Sequence, residues 1–97
     1  MSIIMTFTEP TLKPTQSLFS NYEKIKLLLV SMGIKEELIR PNSNLYSDLG
    51  FDLMDQSDLI LLVERYFGIR LEEELASSIM NLSHLDRVIF EKQLSRN

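Results

Sequence analysis

The stretch 48-DLGFDLMDQSDLILLVERYFGIRL-71 decides how this chain folds. Gly50 marks a turn, and Asp52 follows as a good helix N-cap, a side chain that accepts a main-chain N–H of the first turn. Beyond it Leu59, Leu62, Val63, Tyr66 and Phe67 recur at steps of three and four, which makes one apolar stripe on a helix. Gly68 supplies the stop. Two features of this helix stand out. Leu53 occupies its first position, a solvent-facing spot where a small polar residue is the usual choice. Asp52, Asp55 and Asp58 fall at steps of three, so their carboxylates form one stripe, and Glu64 continues the acidic side. Like charges this close repel, so the stripe is either a plain solvated face or a docking strip for Lys/Arg-rich partners.

Apolar residues border the acids. Leu53, Met54, Ile60 and Leu61 are more than the core stripe needs, so some of them are expected at the surface, as the centre of an interface with an acidic rim.

Outward from this helix the chain reads as helical on both sides. Ser20 and Glu23 have capping-box spacing. Tyr22, Ile25, Leu28, Leu29 and Met32 then mark one face of a first helix over about 20–32, ended by Gly33. Residues 34–51 form a long connector. Ile34, Ile39, Leu45, Tyr46 and Leu49 are placed to pin it to the core, and Glu36 to Leu38 form one short turn before Pro41. After Gly68, 69-IRLEEEL-75 enters a short third helix with Glu72 to Glu74 in its first turn, where the helix dipole favours acids. Asn81 or Ser83 caps a fourth helix, whose buried side is Leu82, Leu85, Val88, Ile89 and Leu94. Residues 1–17, with Pro10 and Pro14 and no clear period, are expected to be a flexible tail ahead of a helical domain over 18–95.

Composition agrees with one small soluble domain. The chain has 97 residues, 44% hydrophobic and 25% charged, with a net charge of −4. The second half carries that charge, which disfavours nucleic acid and favours a partner with a basic patch. There is no cysteine, so no disulfide framework or thiolate metal site. No apolar run reaches the ~20 residues of a membrane span, and the N-terminus lacks the pattern of a secretory signal. A cytoplasmic protein is the expectation. His84 is the only histidine, with no nucleophile or second titrating group arranged beside it, so no catalytic centre is expected. The Asp52–Asp58 stripe has the wrong spacing, and no glycine, for a calcium loop.

The run 48–71 resembles the second helix of acyl carrier proteins. Their pattern is D-L-G-x-D-S-[LM]-D, an acidic amphipathic helix, then E-x-x-F-G-[IV], and here Phe67, Gly68 and Ile69 fall in register. The similarity extends through 33-GIKEELIRPNSNLYSDLG-50 and 72-EEELASSIMNLSHLDRVI-89, about residues 20–92 in all. It implies an all-α, four-helix bundle with three main helices, one short helix and a long loop between the first two. It also implies a non-enzymatic protein that serves fatty-acid, polyketide or related acyl metabolism. Asp55, Asp58 and Glu64 match the family's acidic docking positions, and Met54 and Leu61 match its apolar contacts. Together with Asp52 and Leu53 they are the candidate partner-binding residues.

The departure is at position 53. The family has a serine there, whose hydroxyl carries a 4′-phosphopantetheine arm. Leu53 has no oxygen to form that bond, so a carrier-fold protein without an arm is the leading expectation. Two alternatives stay open. One is a working carrier primed at another serine, Ser57 or Ser47, or altered at residue 53. The other is an interaction module unrelated to acyl chemistry, self-associating or not. Partner identity and oligomeric state are not legible from the sequence.

Overall fold

The computed structural model describes residues 19–95. The expected tail over 1–17 lies outside the described residues. Four helices follow in order: α1 (Asn21–Ser31), α2 (Leu53–Phe67), α3 (Glu73–Ser77) and α4 (Leu82–Leu94), with a 3₁₀ turn at Glu36–Leu38 in the long connector. This is the expected all-α bundle of three main helices and one short one. No described helix is long and apolar enough to cross a membrane.

Each of the three main helices starts where a side chain meets its free N–H groups. Ser20 Oγ accepts the Glu23 N–H at 3.1 Å. The return bond of the expected capping box is not formed there. The reciprocal box is found at α2, where Asp52 and Asp55 cap one another. Asn81 caps α4 by accepting the His84 N–H at 2.8 Å, which decides between the two candidate caps. Helix α2 ends at Gly68, whose φ of +68° is a left-handed conformation that costs glycine nothing.

The core is contributed by all the main helices and by the connector. Ile25 and Leu29 come from α1, Leu59, Val63 and Phe67 from α2, and Leu82, Leu85, Val88 and Ile89 from α4. The connector adds Ile39, Leu45, Leu49 and Phe51, all buried, while Ile34 and Tyr46 pack against the cluster. These residues pin the connector to the core, as the sequence suggests. Three stripe residues differ from expectation. Leu62 is only half-buried and lies outside the core cluster. Tyr66 is 55% exposed and packs only edge-on against Phe67, because the inner line of α2 runs 56–59–63–67 and leaves position 66 on its flank. Leu94, in the last turn of α4, is exposed, beyond the reach of the other helices.

The fourth member of that inner line is polar. Gln56 is buried. Its Oε1 accepts the Tyr46 hydroxyl from the connector, and its Nε2 donates to Ala76 O (3.1 Å) and Ile79 O (3.4 Å). One amide thus ties α2 to the connector and to the segment around α3. Helix α3 needs this tie because it buries no residue fully. A salt bridge between Lys92 and Glu72 at 2.9 Å joins its N-terminal side to α4. A second polar clasp joins Asn21 and Gln93, whose amides bond reciprocally across α1 and α4 at 2.9 and 3.3 Å.

Replacing Gln56 with alanine strips these carbonyls and the Tyr46 hydroxyl of their partner. Unfolding in urea should register a loss of about 2–3 kcal/mol. Amide exchange should accelerate over residues 73–79 more than in α1.

Candidate functional site

The end of the connector is built to hold the start of α2. Asp48 Oδ2 accepts the Asn44 N–H at 2.7 Å. Asn44 Oδ1 accepts the Tyr46 and Ser47 N–H groups at 2.8 and 2.9 Å, an Asx turn that substitutes for missing ladder bonds. Leu45 N–H reaches Met80 O at 2.8 Å, part of a single antiparallel bridge between Asn44 and Asn81. Gly50, at φ +74°, reverses the chain, and Phe51 enters the core. Asp52 is thereby delivered to its cap position, with Asp52 Oδ1 accepting Asp55 N–H (2.8 Å) and Asp55 Oδ2 accepting Asp52 N–H (3.0 Å).

Residue 53 is therefore the first residue of a well-anchored helix, pointing outward. Leu53 is 74% exposed and Met54 75% exposed. Two turns on, Leu61 is 45% exposed, whereas Ile60 turns inward and packs against the core. Exposed hydrocarbon of this extent on consecutive residues is uncommon on a folded surface unless something covers it. The serines nearby are elsewhere. Ser57 is one turn along α2 and exposed, about 6 Å of helix rise from position 53. Ser47 is exposed in the connector.

Two depressions flank the outer face of α2. One, of about 540 Å³, lies between α2 and α3 and is lined by Leu53, Ile60, Leu61, Glu64, Leu71 and Ala76 among others. The other, of about 330 Å³, lies toward the end of α1 and is lined by Met32, Asp55, Asp58, Leu61 and Leu62. Leu61 is shared by both.

Of the acids named from the sequence, Asp52, Asp55 and Asp58 lie together on one side of α2, and Glu64 does not. Asp52 and Asp55 spend carboxylate oxygens on each other's main chain. Asp58 makes no hydrogen bond or ion pair among the described residues and faces the α1-side hollow. Glu64 lies on the opposite flank, in the α3-side groove, where its Oε2 accepts the Leu71 N–H at 2.8 Å. It holds the turn after Gly68 closed, a role that a spacing of three and four does not announce. Gln56 was also missed, although a polar residue on the inner line of an amphipathic helix is a readable signal. At the far edge of α3, the hydrogen bond from Lys92 holds the Glu72 carboxyl below its usual range. On α4, burial pushes the Asp86 carboxyl upward.

His84 sits half-buried in the first turn of α4, its main-chain N–H taken by Asn81. Among the described residues no group of three or more His, Cys, Asp or Glu is gathered that could hold a metal ion.

No family model matches the chain. Individual proteins do. An acyl carrier protein of Nitratidesulfovibrio vulgaris is 32% identical over 72 residues, covering 73% of this chain and 95% of the relative. An acyl carrier protein of Chloroherpeton thalassium is 34% identical over 67 residues, covering 69% of this chain and 84% of the relative. The crystal structure of an acyl carrier protein from Thermotoga maritima superposes with a TM-score of 0.66, covering 89% of this chain and 98% of the other at 23% identity, and so shares the fold. With relatives this similar over nearly their whole length, and with the same helical architecture, the chain belongs to the acyl carrier protein family.

Proposed function

We propose that this protein is an armless member of its family. It docks enzymes of fatty-acid or polyketide-type acyl metabolism through α2, in the cytoplasm, and holds no 4′-phosphopantetheine at residue 53. Like its family, it is a carrier-type protein and not an enzyme. The observation that carries the reading is Leu53, exposed at the first position of α2. Attachment of the arm needs a hydroxyl oxygen at the junction of loop and helix, and the leucine side chain is hydrocarbon throughout. The residues present do not fit the group.

What Leu53 offers instead is contact. It extends the apolar surface of Met54 and Leu61, and burying it on a partner contributes roughly 1.5–3 kcal/mol. Asp58 supplies a carboxylate free to meet a partner's Lys or Arg, which steers encounter more than it adds affinity. Asp52, Asp55 and Glu64 add negative potential but are already hydrogen-bonded at home, so a partner meets them as a field more than as new bonds.

A phosphopantetheinyl transferase with coenzyme A tests the reading directly. Intact mass should show no added phosphopantetheinyl group on the natural chain and one group on the Leu53→Ser variant. An adduct on the natural chain, at Ser57, Ser47 or elsewhere, would mean a working carrier and sink the proposal.

Docking has its own check. Against an acyl-metabolism enzyme with a basic docking face, Asp58→Lys should weaken binding about tenfold at low salt, and less as salt rises. The melting temperature should barely move. Asp55→Lys is the less clean variant, since loss of the capping box should itself cost about 1 kcal/mol of stability. Unchanged affinity in Asp58→Lys would leave the acidic face merely solvated.

A further inference from the structure

The first turn of α2 presents residue 53 on a fixed frame. The capping box of Asp52 with Asp55, the bond between Asp48 and the Asn44 N–H, and the buried Phe51 hold the main chain on both sides of it. Leu53 and Met54 are the most exposed of the large apolar side chains among the described residues. Asp52 and Asp58 are exposed beside them, and Asp55 is half-buried. Hydrocarbon at the centre and carboxylates at the edge is the layout of a contact surface with a rim.

The chemistry of arm attachment defines one surface that meets this one. A phosphopantetheinyl transferase must bring the pyrophosphate of coenzyme A to within bonding reach of the residue at this junction of a carrier. Holding a pyrophosphate takes cationic groups, so the enzyme carries positive charge close to that position. On this chain Asp52, Asp55 and Asp58 flank residue 53, and none of them is paired with a cation among the described residues. Docking is governed by that field and by the shape of the helix start. Neither depends on the hydroxyl.

We propose that the protein is a dead-end ligand of the transferase that primes working carriers. It occupies the acceptor site, brings Leu53 where the attacking oxygen belongs, and leaves unmodified. Met54 supplies apolar contact beside it, and Asp58 meets the enzyme's cations. While it is bound no other carrier is primed on that enzyme molecule, so its concentration sets the rate at which arms are attached elsewhere. This rests on the armless reading proposed above and adds to it the enzyme whose access the surface controls.

Steady-state priming tests it, with coenzyme A as donor, the Leu53→Ser variant of this chain as acceptor and the natural chain as added inhibitor. The natural chain should raise the apparent KM for the acceptor and leave kcat unchanged, with an inhibition constant within about tenfold of that KM. Asp58→Lys, made in the inhibitor, should weaken inhibition about tenfold. Met54→Glu should weaken it by about as much even though it adds negative charge, because it removes exposed hydrocarbon from the contact. Circular dichroism of both variants establishes that the helices remain. Inhibition that either substitution leaves unchanged overturns the proposal. So does an absence of inhibition at about ten times the acceptor's KM, or a Leu53→Ser variant that the enzyme does not modify. Intact mass of the natural chain recovered from the assay keeps the two readings apart. An added phosphopantetheinyl group sinks the armless reading and this one with it, whereas an unmodified chain that fails to inhibit sinks this one alone.

Discussion

A buried amide holds this molecule in register. Gln56 has one carbonyl and one NH₂, and the structure uses both, the first on the Tyr46 hydroxyl and the second on the carbonyls of Ala76 and Ile79. The three segments so joined are the connector, α2 and the turn-like α3. Hydrophobic burial is non-directional. It brings α1, α2 and α4 together but does not say where a five-residue helix or an irregular loop should lie on them. The amide does, because a buried polar group without its partners costs more than the bonds return when made. Everything at the surface of α2 inherits its position from that constraint, including the groove between α2 and α3.

The junction of the connector with α2 shows the same economy. Asp48, Asn44, Asp52 and Asp55 turn their side chains back onto the main chain, so a loop with no regular ladder still has its N–H groups met. This firm scaffold presents residue 53 to solvent at the first position of α2. In this chain the position so prepared is filled by a leucine. The frame of a carrier is thus retained around a side chain that has no carrier chemistry. The proposed function rests on that combination.

Much of this was legible in the sequence. The apolar line Leu59, Val63, Phe67 named α2, Gly68 ended it, and Asp52 capped it, because these depend on neighbours a few residues away. The buried side of α4 was readable for the same reason, except at Leu94, where the period continues but the helix outruns the body it packs on. Tyr66 failed in the other direction. A stripe drawn wide enough to include Leu62 and Tyr66 hides the narrower inner line that begins at Gln56. The acidic strip was legible in Asp52, Asp55 and Asp58, but not the departure of Glu64 to the other flank. Spacing puts Asp55, Asp58 and Glu64 on one helix, but which carboxylate is free depends on who answers it. Asp52 answers Asp55, the Leu71 amide answers Glu64, and nothing in the described chain answers Asp58. Those partners are set by tertiary structure, and residues seven apart across a glycine turn give no local sign of it.

Leu61 forms a wall common to both hollows beside α2. A branched side chain on a helix has few rotamers to choose from, so leaning it toward one trough must open the other. The shape of either trough is thus tied to the rotamer of one half-exposed side chain.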